Sequence, residues 1–156
     1  MRNNVTRMLD VEGITYTSFE FSPAITSAPG VAEEVGLPVA QVYKTLVVQK
    51  DDGKGKPFLV MMPGDRDLNL KKLARSTGVK RLRMAPQKEA ERLTGLQVGG
   101  ISPLALLQRN FPTYIDQQAL KWDELCISAG VRGMNLLVSV DDLLGITGAQ
   151  PVAISE

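Results

Sequence analysis

No histidine occurs anywhere in the 156 residues. That absence removes imidazole as a general base, the Ser-His-Asp and Cys-His nucleophile arrangements, and almost every transition-metal catalytic site. Cysteine is nearly missing too. Cys126 stands alone, so the chain can close no internal disulfide and offers zinc no cysteine cluster. Neither sign of charge prevails, with 18 Lys plus Arg against 17 Asp plus Glu, which excludes a generally basic nucleic-acid coat. No stretch approaches the roughly 18 apolar residues of a membrane span, and MRNNVTRMLDVEG at the start lacks a continuous apolar run. A cytoplasmic location with no membrane partner is the expectation, in keeping with one unpaired thiol. Chemistry is left to lysine, carboxylates, hydroxyls, main-chain amides or the substrate itself.

What is present reads as an ordinary globular chain, 44% apolar and 22% charged. A chain this long buries roughly 70% of its unfolded surface, so one domain over residues 1–156 needs no metal or disulfide to hold it. Val5, Met8 and Leu9 recur at helical spacing, with Asn3 or Asn4 as cap and Gly13 as stop. TYTSFEF (15–21) alternates as a strand. Ser27 caps a helix that turns Val31, Ala32 and Val35 inward and ends at Gly36-Leu37-Pro38. QVYKTLVVQK (41–50) and PFLVMMP (57–63) read as a hairpin about the DDGKG turn. Residues 68–78 and 87–95 predict helices ending at Gly78 and Gly95, the second opened by Pro86, with a short strand at 81–85 between them. Further strands are expected at 112–116, 125–130, 134–140 and 150–155, with one or two helical turns in DDLLGITG. The interleaving argues for one α/β (α+β) domain, its mixed sheet strongly curved, barrel-like and surrounded by short helices.

Charge is unevenly placed along the chain. Residues 66–92 hold nine Lys/Arg against three Asp/Glu, whereas residues 110–156 hold two against six. Arg66, Lys71, Lys72, Arg75, Lys80, Arg81, Arg83, Lys88 and Arg92 form either solvated helix faces or a phosphate-backbone footprint.

Four places could carry chemistry. On a strand, Val42, Lys44, Leu46 and Val48 share one face, so Lys44 sits among branched apolar neighbours. It either packs its stem and reaches water, or aims a cation into a cleft suited to a phosphate or carbonyl oxygen. Val98-Gly99-Gly100-Ile101-Ser102-Pro103 pairs two glycines with a stiffened exit; it is a plain turn or an anion-binding nest of N–H groups. Ser128-Ala129-Gly130-Val131-Arg132-Gly133 is a hairpin loop or a ligand loop bearing Arg132. Pro63-Gly64-Asp65-Arg66-Asp67 reads as a turn with a capping Asp, lacking a third ligand to make a cation site. Cys126, mid-strand, reads as a buried structural thiol, since no imidazole can activate it.

Taken together, VYKTLVV (42–48), DLNLKKLA (67–74), LTGLQVGGISPL (93–104) and ISAGVRG (127–133) resemble the YbaK/EbsC family, which is related to the editing domain inserted in bacterial prolyl-tRNA synthetases. Gly99 to Pro103 fits that family's Gly-x-x-x-Pro loop and Lys44 its strand lysine. The resemblance implies a free-standing deacylase acting in trans on mischarged tRNA, with Cys-tRNA(Pro) as the usual substrate of the YbaK branch and Ala-tRNA(Pro) cleared by relatives. It implies catalysis at Lys44 and at the main chain of Gly99, Gly100, Ile101 and Ser102, with the substrate's own thiol as nucleophile. Thr26, Thr45, Pro103, Ser128, Gly130, Arg132 and Asn135 would line the pocket, and Lys71, Lys72 and Arg75 would meet the tRNA. No cofactor and no metal are implied; prolyl-tRNA synthetase is a candidate partner. Asn135 stands where family members often carry aspartate, and Phe19 where they often carry tyrosine, changes that bear on pocket polarity. Two other classes compete: a non-catalytic tRNA- or synthetase-binding regulatory module, and a small-nucleotide binder resting on the anion nest without a P-loop.

Overall fold

Helix ends fall where side-chain caps put them. Asn3 accepts from the Thr6 N–H while the Thr6 hydroxyl accepts from the Asn3 N–H, a reciprocal capping box opening α1 (Asn4–Val11). Ser27, Asn69 and Ser139 accept N–H bonds at the starts of α2 (Ala28–Val35), α3 (Leu70–Thr77) and α5 (Val140–Thr147). Pro86 precedes α4 (Gln87–Thr94), as the sequence predicts. The structure, a computed structural model, describes residues 2–156. Between the helices lie β1 (Tyr16–Glu20), β2 (Tyr43–Lys50), β3 (Phe58–Pro63), β4 (Leu82–Met84), β5 (Thr113–Asp116), β6 (Glu124–Ser128), β7 (Met134–Ser139) and β8 (Gln150–Val152). Short 3-10 turns at Val39–Gln41, Pro103–Ala105, Leu107–Arg109 and Gln117–Lys121 are additions, each too short to leave a hydrophobic period in the sequence.

The barrel-like sheet is a correction. Two sheets form instead: a three-stranded antiparallel one, ordered β1-β7-β6, and a five-stranded mixed one, ordered β4-β2-β3-β5-β8. Each keeps two edge strands, so neither closes on itself. β5 pairs parallel with both β3 and β8, and the remaining ladders are antiparallel. A single parallel bridge between Val42 and Cys126 connects the sheets.

β2 is central and covered on both faces, which explains its near-continuous apolar run. Val48 packs with Leu73 of α3, and Val47 with Ala90 of α4 and Ile101. A larger core between α1, α5 and the three-stranded sheet holds Leu9, Ile127, Leu136 and Leu143. The tail folds back on the turn before α3, where Leu68 bridges Ser155 and the Asn69 N–H donates to the Ile154 carbonyl at 2.7 Å. Asp116, fully buried, accepts from the N–H groups of Gln118, Ile154 and Ser155, so its carboxylate is satisfied by main chain.

Candidate active site

Where the two sheets meet, a cleft of about 300 Å³ opens between four segments. Val42 and the start of β2 through Leu46 line one part of it, and Val98, Gly99 and Ile101 another. Thr26 and the first turn of α2 close it above; Ser128 and Asn135 of the smaller sheet contribute polar groups. Thr26, Lys44, Thr45, Gly99, Ile101, Ser128 and Asn135 are thus brought together, residues spread from one end of the chain to the other.

Lys44 pairs across the ladder with Met62, one step from the Tyr43–Pro63 end where β3 enters its turn. Its side chain is 32% exposed and its Nζ lies 4.0 Å from Asp67 Oδ1, while Asp67 itself is 90% exposed. A pair so open to water holds the ammonium weakly, leaving it available to an anion. The expected capping Asp is a correction: Asn69 caps α3, and the 63–67 turn instead brings the Asp67 carboxylate to Lys44.

Gly99 explains how closely its loop approaches Thr26. Its φ is +94°, and a Cβ built there would lie 2.8 Å from the Cβ of Thr26. Only glycine lets the two loops touch in this way. The N–H groups of Gly99 and Ile101 meet no acceptor among the described residues. Gly100 differs: its N–H donates to the Gln97 carbonyl at 2.8 Å, and a Cβ would strike the main chain of Val131 and Arg132. Ser102 and Pro103 are buried behind the cleft, where the Ser102 hydroxyl accepts from the Leu104 N–H. Gly100, Ser102 and Pro103 support the loop rather than line the cleft.

Gly130 and Arg132 also stand outside it, in a neighbouring hollow with Pro23 and Gln97. Arg132 Nε donates at 2.8 Å to the carbonyl of Val98, fixing the residue before Gly99. A hydrogen bond from a charged donor contributes about 1.5–3 kcal/mol. Arg132→Ala should loosen the Gly99 wall, with turnover in the cleft falling about tenfold. Arg132→Lys should not restore it, because lysine lacks the guanidinium's fixed fork. Wild-type kinetics in Arg132→Ala would remove the strut role.

Asn135 is 5% exposed, and its amide donates weakly to Cys126 Sγ at 3.6 Å. In register, Phe19, Asn135 and Ser128 form one row across β1, β7 and β6. The two positions that depart from the resembled family are therefore direct cross-strand neighbours, which spacing 116 residues apart in sequence conceals. Cys126 lies beneath this row, fully buried. Burial pushes its thiol up to about 11, against a smaller opposing pull from the Asn135 amide. Two units depress the thiolate about a hundredfold, so an alkylating reagent at pH 8 should modify folded protein at least that much more slowly than unfolded chain. A folded-state rate equal to the unfolded one would contradict this. Because the folded thiol holds its proton longer, this group's stabilisation is complete below about pH 9 and is lost as pH rises toward 11.

Gly64, read from the sequence only as part of a turn, lines the cleft; a Cβ there would lie 2.7 Å from Ala28 and 2.8 Å from the Val42 carbonyl. Sequence reasoning missed the apolar wall of Ala28, Pro29 and Val31; a Pro-Gly turn and a helix start signal local structure, not which cleft they border. Basic residues Lys71, Lys72 and Arg75 are exposed on α3, which leaves the 64–69 turn beside Lys44; Lys72 Nζ donates to the Ser155 carbonyl.

Residues 22–146 match the family model of the aminoacyl-tRNA editing domain, a span holding every wall of the cleft. The chain belongs to this editing-domain family. A relative from Enterococcus faecalis, provisionally named Cys-tRNA(Pro)/Cys-tRNA(Cys) deacylase EbsC, is 34% identical over 96% of this chain and 90% of its own length. A proline–tRNA ligase from Acidithiobacillus ferrooxidans is 33% identical over 64% of this editing domain, a match spanning 17% of the ligase. Among solved structures, one provisionally titled a trans-editing enzyme for prolyl tRNA synthetase superposes with a TM-score of 0.81 at 27% identity, covering 100% of this chain and 99% of its own. A hypothetical protein superposes at 0.88, also at 27% identity, covering 99% and 100%. No helix among the described residues of the editing domain is long and apolar enough to cross a membrane.

Proposed function

We propose that residues 1–156 act as one aminoacyl-tRNA deacylase, clearing mischarged tRNA in trans, with Cys-tRNA(Pro) as substrate. The observation carrying this reading is one cleft lined by Lys44 and by Gly99 and Ile101, whose N–H groups meet no acceptor among the described residues. An aminoacyl ester is already activated by the neighbouring ribose hydroxyl, so positioning and oxyanion stabilisation suffice to break it. The Gly99 and Ile101 N–H groups take the developing oxyanion. Lys44 holds the terminal phosphate or ribose, or polarises the carbonyl.

For a cysteinyl ester the nucleophile is the substrate's own sulfur. The S–C bond forms at the carbonyl carbon, the C–O bond to the ribose breaks, and the thiol proton ends on the departing ribose oxygen. Water then opens the resulting thioester. Nothing in this sequence asks for an imidazole or for the inert Cys126. Asn135 and Ser128 orient the aminoacyl group, Thr26 and Thr45 border it, and Gly100, Ser102, Pro103, Gly130 and Arg132 keep the loops in place. Val31, Val42 and Ile101 give the cleft an apolar measure of side-chain size. Such a measure separates substrates by only about 1–3 kcal/mol per methylene, which is why editing by a second site is needed at all. Lys71, Lys72 and Arg75 receive the acceptor end of the tRNA, and prolyl-tRNA synthetase is the partner that would supply it. The resemblance to EbsC and to a trans-editing enzyme supports this reading.

The test is release of cysteine and of alanine from mischarged tRNA(Pro). Cysteine should leave well above the spontaneous rate. Binding of the tRNA with both esters cleaved only at the spontaneous rate would replace the deacylase with a regulatory module.

A further inference from the structure

At the opposite end of β2 from the cleft, strand pairing gathers a second group of cations. Lys50 ends β2, Lys54 and Lys56 lie in the β2–β3 hairpin, and Arg83 of β4 sits opposite Gln49 in register. With Arg92 of α4 they line a hollow of about 180 Å³ whose only carboxylate is Glu89. Glu89 is already engaged by two hydrogen bonds from Arg92. Lys56 Nζ donates to the Arg109 carbonyl, a neutral partner. Lys50, Lys54 and Arg83 have no carboxylate within ion-pair distance among the described residues. An adjacent depression has Lys50, Lys80 and Arg81 but also Asp51 and Asp52, so its charge is nearly balanced. Five cations around a single carboxylate, itself held by Arg92, leave the hollow with a net positive charge.

We propose that this hollow binds phosphate groups of the RNA backbone, as a second contact remote from the cleft. Lys44 and Lys50 lie six residues apart on β2, which at about 3.3 Å per residue puts roughly 20 Å between the two cations. Along an RNA duplex, whose A-form geometry differs from that of DNA, a span of that size covers several base-pair steps. The hollow lies on the face of β2 that α4 covers, where Ile101 of the cleft also packs, whereas exposed Lys71 and Arg75 on α3 lie over the other face. A substrate with its aminoacyl end in the cleft and a helical stem crossing the sheet reaches the hollow. A free amino-acid ester does not. Phosphate contacts of this kind carry affinity and register rather than sequence information.

The inference rests on the proposed reading of the cleft for its substrate, but its test is separable. Affinity for an uncharged RNA hairpin duplex would be measured across a salt series for wild type and for Lys54→Glu/Arg83→Glu, with an inorganic phosphate titration alongside. The double variant should bind the hairpin about tenfold or more weakly near physiological salt, and its log–log salt slope should be shallower by one to two units. The ratio of hydrolysis rates on aminoacylated hairpin to aminoacyl-adenosine should fall by a similar factor. An unchanged affinity and slope would overturn the proposal. So would tight binding of inorganic phosphate lost in the variant while RNA binding is retained, which would make the hollow a free-anion site. If the double variant does not fold, Lys54→Gln alone, in an exposed turn, should show about half the slope change. If wild type hydrolyses no ester yet RNA binding responds as stated, the cleft reading fails and this one stands.

Discussion

Gly99→Ala is expected to lower kcat for aminoacyl-ester hydrolysis by about 100- to 1,000-fold, the usual cost of a lost oxyanion donor. Alanine at φ +94° is strained, and its Cβ would lie 2.8 Å from Thr26 Cβ and 3.0 Å from Thr26 Cγ2. The contact is with a branched side chain close to its own main chain, so one of the two loops must move. Either movement turns the Gly99 and Ile101 N–H groups away from a common point. Gly95→Ala is the control: its φ is +74°, yet nothing lies within 4 Å of the new methyl. It should cost about 1 kcal/mol in thermal unfolding through backbone strain and leave turnover near wild type. Comparable activity in both variants would show that the Gly99 main chain does not meet the reacting carbonyl.

Lys44→Ala should lower kcat/KM for cysteine release from tRNA about a hundredfold while leaving thermal stability almost unchanged. The side chain is partly exposed and its sole ion-pair partner among the described residues is an open carboxylate at 4.0 Å, so little folding energy rides on it. Lys44→Arg should recover part of the loss, since a cation remains, but with geometry suited to a planar fork rather than a point charge. Steady-state kinetics of the three proteins at one ionic strength checks this. Lys44→Ala with wild-type kcat/KM would remove the lysine from the reaction.

Much of the fold was legible because its signals are local. Asn3, Ser27, Pro86 and the glycines closing α2 to α5 mark helix ends, and the DDGKG turn marks a hairpin. Sheet number was not legible, since β1 with β7 and β3 with β5 join segments far apart in sequence. Lys44, Gly99, Asn135 and Ser128 line one cleft. Gly100 and Ser102 do not: the Gly100 N–H is taken by the Gln97 carbonyl and Ser102 is fully buried behind the loop, neither of which composition can reveal. Arg132 looked like a ligand residue on its loop, yet its nearest obligation is the Val98 carbonyl. Counting charge along residues 66–92 captured Arg83 and Arg92 but not Lys50, Lys54 and Lys56, which only strand pairing brings beside them.

A crystal structure with a non-hydrolysable amide analogue of cysteinyl-adenosine tests the shared point of attack most directly. Its acyl oxygen should lie about 2.7–3.1 Å from both the Gly99 and Ile101 nitrogens, with the Lys44 ammonium bordering the same end of the ligand. An acyl group seated elsewhere, with those two N–H groups still unengaged, would contradict it.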